Sequence, residues 1–245
     1  MKQPAIRDDA ATKYSAVPFD FCKFPPRHPF SRTAARLAIQ LVPAESADSL
    51  ELAVVEAAVT FSEPVSQIMW IAPSEERHKK RAKQYAKDME TSPTSYIVKA
   101  VLDGKVVGFA QWHFFDKQPK PMEEWKDMEA WDVANSLECA NYMLGISSRM
   151  RNKYVNGTQY AFLQILVVLP EWQRQGVGSL LLQEGLAKAD QAGLPTWLLS
   201  SPEGYGLYQK AGFEDRETLE IDLSRFGGEG TAKRIGMLKP YKVVV

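Results

Sequence analysis

The chain has 245 residues, enough to bury a full core, and the size prior favours one large domain with an arm. Its 30 basic and 30 acidic residues cancel, so no long-range field draws nucleic acid or an anionic membrane, and any anion site has to be local. Cys22 and Cys139 lack metal-ligand spacing and read as reduced thiols, while no run approaches the roughly 20 apolar residues of a membrane helix and no signal core is present, so a cytoplasmic protein is expected.

Residues 1–35 carry Pro4, Pro18, Pro25, Pro26 and Pro29 and read as an irregular N-terminal arm, with Phe19, Phe21, Phe24 and Phe30 as its means of gripping the body. The domain is expected over 36–245. A strand over 37–42 is ended by Pro43, and a helix runs from Ser46 or Asp48 to about Thr60. After Pro64 and Pro73 the charged run 75–90 predicts a second, exposed helix; its HKKRAK segment is flanked by Glu75, Glu76, Asp88 and Glu90, and so reads as a solvated face.

Two β-rich runs, 95–102 and 105–113, joined by Asp103-Gly104, predict a hairpin. Residues 116–157 are polar and form an insertion with a helix over about 133–151. Trp112, Phe114, Phe115, Trp125 and Trp131 around it either line an acceptor pocket or cement the insertion to the sheet.

Tyr160 to Leu169 is apolar enough for a strand buried on both faces, and it opens through PEWQRQGVGS into a helix stopped by Gly193 and Pro195. A strand over 196–199, a short helix in GLYQKAGF, and strands over 218–223 and 234–238 separated by a glycine-rich turn at 227–230 complete the chain. The first turn of a helix leaves unpaired N–H groups and a partial positive charge, which together hold phosphate oxygens, and glycine at 176 and 178 lets the anion approach. The dinucleotide fingerprint fails, because Leu181 stands where it needs a third glycine, and no Gly-Lys-Ser/Thr of a P-loop exists.

The run LVVLPEWQRQGVGSLL, 166–181, resembles the acetyl-CoA-binding motif of the GNAT acetyltransferases, Gln/Arg-x-x-Gly-x-Gly/Ala, through Gln173, Gly176 and Gly178. A second block, LYQKAGF at 207–213, matches the family's Leu-Tyr-x-x-x-Gly-Phe. The resemblance extends over 37–240, and the long insertion before the fourth strand is similar to that of stand-alone fungal members.

The resemblance implies an α/β fold: a mixed, mostly antiparallel sheet of six or seven strands flanked by helices, with the fourth and fifth strands splayed. It implies an N-acetyltransferase using acetyl-CoA on the amine of a small molecule; a homodimer stays open. The N–H groups from Gln173 through Arg174, Gln175, Gly176, Val177 and Gly178 to Ser179 would hold the pyrophosphate. The edge at Leu166, Val167 and Val168 would carry the pantetheine arm, freeing an N–H to polarise the thioester carbonyl. Tyr208 would protonate the departing thiolate, with a packed core tyrosine as the competing reading. Ser201 replaces an asparagine common seven residues before that tyrosine, and Gly204 a small alanine.

No base stands out. Gln164 occupies the strand that carries a glutamate in some members and cannot usefully accept a proton, which leaves Glu63 beside Pro64, His113 at the hairpin's end, or a water chain. The alternative function is a catalytically silent acyl-CoA-binding or interaction module; a nicotinamide-dependent Rossmann enzyme ranks far behind.

Overall fold

A computed structural model describes residues 39–117 and 126–241; the arm expected over 1–35, with Cys22, and also Trp125 fall outside the described residues. Seven strands form one sheet in the order β1-β2-β3-β4-β5-β7-β6. They are β1 (Gln40–Pro43), β2 (Ser95–Leu102), β3 (Lys105–Phe115), β4 (Tyr160–Val168), β5 (Thr196–Ser200), β6 (Glu214–Asp222) and β7 (Thr231–Lys239). All neighbours are antiparallel except β4 and β5, which are parallel.

Asp103 (φ 50°) and Gly104 (φ 75°) both take positive φ, the two-residue turn that matches the twist of the β2–β3 hairpin. Strand alternation then sorts β3: Ala110, Trp112 and Phe114 face one side of the sheet, and Phe109, Gln111, His113 and Phe115 the other.

On the first side lies α5 (Val177–Gln191), which approaches closely because Gly185 presents no side chain where the fully buried Trp112 ring rests; a Cβ there would stand 2.0 Å from Cε2. Trp112 is thus sheet core. The other side carries α1 (Ser49–Thr60), α3 (Glu75–Thr91) and α4 (Leu137–Val155), while the short α2 (Pro64–Met69) packs under the β6–β7 turn.

The helix expected to be exposed over 75–90 is α3, and it is anchored: Tyr85 is fully buried against Phe109, ring centroids 5.6 Å apart, and Arg81 holds Glu56 of α1 through both carboxylate oxygens. Lys79 and Lys80 pair with Glu75 and Glu76 one turn back, as a solvated face does. Trp131 of the insertion meets Trp70 edge-on at 4.6 Å. β6 begins four residues before the expected Thr218, because edge strands tolerate the charged run Glu214–Glu217. Among the described residues no helix is long and apolar enough to cross a membrane.

Candidate active site

The stretch between β4 and α5 is built to expose amides. Pro170–Trp172 form a 3-10 turn after β4, Arg174 takes φ 59°, and Gly176 takes φ 91° as the residue capping α5. A left-handed residue followed by right-handed Val177 curls successive N–H groups into an anion-binding concavity. The first intrahelical bond runs from Leu180 N–H to the Gly176 carbonyl, so the N–H groups of Val177, Gly178 and Ser179 precede the ladder, and no side chain caps them.

Two glutamines brace this turn without filling it. Gln173 Nε2 donates to the Val168 carbonyl (3.0 Å) and Gln175 Nε2 to the Glu171 carbonyl (2.7 Å). Arg174 is exposed and forms no ion pair among the described residues. The two glycines differ in what they need. Gly176 requires its left-handed backbone, whereas a Cβ at Gly178 would meet Leu207, Leu166 and Val168 at 3.5–3.8 Å, ordinary contact. Alanine fits at 178, and the methyl would lie toward β4 and Leu207.

β4 and β5 pair only from Ala161↔Thr196 to Leu163↔Leu198; beyond that they part. Leu169 N–H donates to the Val107 carbonyl on the β3 side, so by alternation the peptide groups of Val168 and Leu166 point away from β3 into the opening. The Val168 carbonyl already accepts from Gln173, and of the two N–H groups turned into the opening that of Leu166 lies nearer the point of divergence. Val167 differs from both. Its peptide pairs with Phe109 of β3 and its side chain is buried under α1 and α3, so it offers nothing to the opening, a correction to its expected place on the binding edge.

The divergence coincides with a bulge. Gln111 faces Ile165 but Trp112 faces Leu163, so Gln164 is the extra residue and its side chain is re-aimed to the α3/α4 side of the sheet. There its Oε1 lies 2.7 Å from Nε2 of His113, while His113 Nδ1 lies 3.2 Å from the Thr94 hydroxyl. With Gln164 Oε1 accepting, the ring carries its proton on Nε2 and Nδ1 accepts from Thr94. Burial lowers the pKa of His113, and Arg151 adds to this, against the opposing pull of Gln164 and Asp88.

On the β5 side, α6 (Pro202–Lys210) holds Tyr208, which is 8% exposed. Helical side chains lean back over the preceding turn, and the ring occupies the space a side chain at Gly204 would take, a Cβ there standing 2.8 Å from Cε2. The ring meets Phe213 of the same sequence block edge-on at 5.8 Å. Its hydroxyl bonds to no described residue, and burial pushes the phenol up to about 12. Ser201 caps the backbone of α6 with its hydroxyl unused.

Glu63 caps α2 and pairs with Arg234 of β7 at 2.5 Å, joining the α1–α2 connection to a residue one step beyond the Ser200↔Ile235 pair. The structure therefore brings His113 and Gln164 together, and ties Glu63 to a cation. Arg234, Thr94 and Arg151 escaped sequence reasoning, because each matters through a partner or neighbour distant in the chain.

The fold agrees with solved acetyltransferases. A histone acetyltransferase HPA2 and related acetyltransferase from Corynebacterium glutamicum superposes with a TM-score of 0.55 at 18% identity, covering 85% of this chain and 99% of that one. The ribosomal-protein-S18-alanine N-acetyltransferase of Escherichia coli gives 0.51 at 16% identity, over 84% and 96%. Naa20 of the fungus Chaetomium thermophilum, solved with a bisubstrate analogue, gives 0.50 at 14% identity, over 82% and 86%. Among curated proteins none matches the chain in sequence. The sequence model of the Acetyltransferase (GNAT) family matches residues 62–213, more than half of the chain, from the end of α1 through the LYQKAGF block. The chain belongs to this family and is an acyltransferase of the GNAT type.

Proposed function

We propose that the protein transfers the acetyl group of acetyl-CoA to the amine of a small molecule, by direct attack of that amine on the thioester. The observation that carries the reading is a run of unpaired backbone groups along β4, the turn after it and the start of α5. Uncapped N–H groups at 177–179 lead along the opened edge of β4 to the Leu166 N–H, and the desolvated phenol of Tyr208 stands on the β5 side. These groups fit acetyl-CoA by chemistry: converging amides and Arg174 suit a diphosphate, and an unpaired strand edge suits an amide-bearing arm.

Acetyl-CoA supplies the acyl thioester. The Leu166 N–H is oriented to bond an oxygen in the opening, a preorganised dipole that costs no rearrangement. The Ser201 hydroxyl is free to bond the same arm. Tyr208 keeps its proton at any ordinary pH and holds it for the departing sulfur.

For the base, the geometry favours His113 over Glu63. Burial favours the neutral imidazole; rotation of the exposed Gln164 side chain uncovers Nε2, which becomes the accepting nitrogen once the ring proton moves to Nδ1 and is donated to the Thr94 hydroxyl, whereas the Glu63 carboxylate is engaged by Arg234. The desolvated phenol and the histidine at the bulge support a transferase over a binding-only module. CoA release measured with a panel of amines tests this directly. Turnover supports the proposal, and CoA binding without turnover across the panel overturns it in favour of the silent module.

A further inference from the structure

We infer that Arg151 receives a carboxylate of the acceptor, so that the amine acetylated here belongs to an amino carboxylic acid; this rests on the acetyl-transfer reading above. Arg151 projects from α4 over the face of Phe162, its guanidinium carbon 4.7 Å from the ring centroid. Its Nε is buried and has no hydrogen-bond partner, and the buried Oδ1 of neighbouring Asn152 has none either. No carboxylate pairs with Arg151 among the described residues.

Other inward-facing cations are paired with carboxylates, except Arg77, whose Nη1 is also buried without a partner and which has only the nearby charge of Glu56. Arg81 holds Glu56, Arg234 holds Glu63, and Lys99 holds Asp48. A cation drawn partly out of water without a counter-ion is unfavourable, and the Phe162 ring offsets only part of that cost. A planar guanidinium with no internal partner suits a carboxylate approaching from outside.

Its position supplies the rest. Phe162 pairs with His113 across β3 and β4, and their rings are 6.2 Å apart. Gln164, two residues along β4 from Phe162, marks the bulge beside the divergence of β4 from β5. Two strand residues span roughly 7 Å, so an amine at the bulge and an anion over Phe162 are separated by several bonds of one small molecule. The groups facing this space include His113, Gln164, Phe162 and Tyr160 from the sheet and Arg151 from α4; Asp88 of α3 bonds Gln111, and Lys153 of α4 is paired with Glu217.

The test compares wild type with Arg151→Met, which keeps the stem over Phe162 and removes the charge. Each is assayed with an amino carboxylic acid and with its carboxamide, both by CoA release and by calorimetric titration into the CoA complex. Wild type is expected to prefer the carboxylate about 10- to 100-fold, the range for hydrogen bonds to charged groups. Arg151→Met should erase that preference, chiefly through KM, and leave CoA affinity and the melting temperature unchanged or raised. Equal use of the two acceptors by wild type, or an equal loss of both in the variant, overturns the inference. If no acceptor turns over, acetyl transfer fails, while carboxylate binding that disappears in Arg151→Met upholds the anion site; carboxylate binding that is absent, or indifferent to the variant, overturns it.

Discussion

Replacing Tyr208 by phenylalanine separates chemistry from packing at this site. The substitution removes one hydroxyl from a side chain that is 8% exposed, and no described residue bonds to that hydroxyl. The Phe213 contact and the fit over Gly204 involve ring atoms, so they survive. With no bond to lose, removing the hydroxyl should leave stability within about 0.5 kcal/mol of wild type.

The rate behaves otherwise. A positioned proton donor contributes about 10²- to 10⁴-fold, so kcat should fall at least about 100-fold, equivalent to roughly 2.7 kcal/mol of barrier. Affinity for acetyl-CoA should change less than about threefold, because the proposed diphosphate contacts lie on α5. A rapid-quench single-turnover assay, with a melting curve on the same samples, measures both. An unchanged single-turnover rate would refute the donor role, and a melting temperature lowered by several degrees would mark the hydroxyl as structural.

Gly176→Glu should abolish detectable CoA binding by calorimetry while the protein stays folded at a cost of about 1–2 kcal/mol for the left-handed backbone, because the carboxylate would lie among the amides proposed to hold phosphate; Gly178→Ala, whose methyl meets only ordinary contacts, should bind CoA within about threefold of wild type. Gly185→Ala should lower stability by about 2–3 kcal/mol in denaturant titrations, since its methyl would stand 2.0 Å from Trp112. The acid limb of kcat/KM should bend below pH ~6.5, because burial holds His113 below its usual value and only the neutral ring accepts a proton; His113→Phe should flatten that limb. The same shift acts on stability: the folded pKa is the lower one, so stability is level above pH ~6.5 and declines as pH falls through the unfolded value, and a decline absent from His113→Phe confirms the source.

Features written in neighbouring residues were legible in advance. Asp103-Gly104 encodes its own turn, the apolar run into QGVG encodes strand, turn and helix, and Gly193 with Pro195 ends α5. Features made by pairing across the chain were not. The bulge at Gln164 is a one-residue shift of register against β3, which an apolar run cannot reveal, and without it Gln164 and His113 have no evident relation. Glu63 and Arg234 are 171 residues apart, so the ion pair that occupies a base candidate leaves no local trace. The α3 helix looked exposed because its apolar contacts, Tyr85 with Ala82 and Met89, are spread among charged neighbours, while Arg81 and Arg77 are turned inward. Val167 was grouped with Leu166 and Val168 by adjacency, whereas strand alternation turns its peptide to β3.

The most direct test is a crystal structure of the protein with CoA. The account predicts diphosphate oxygens within about 3 Å of the N–H groups of residues 176–179, and the pantetheine arm against the β4 edge at Leu166. A CoA molecule bound elsewhere, or those amides left unengaged at saturating CoA, would contradict it.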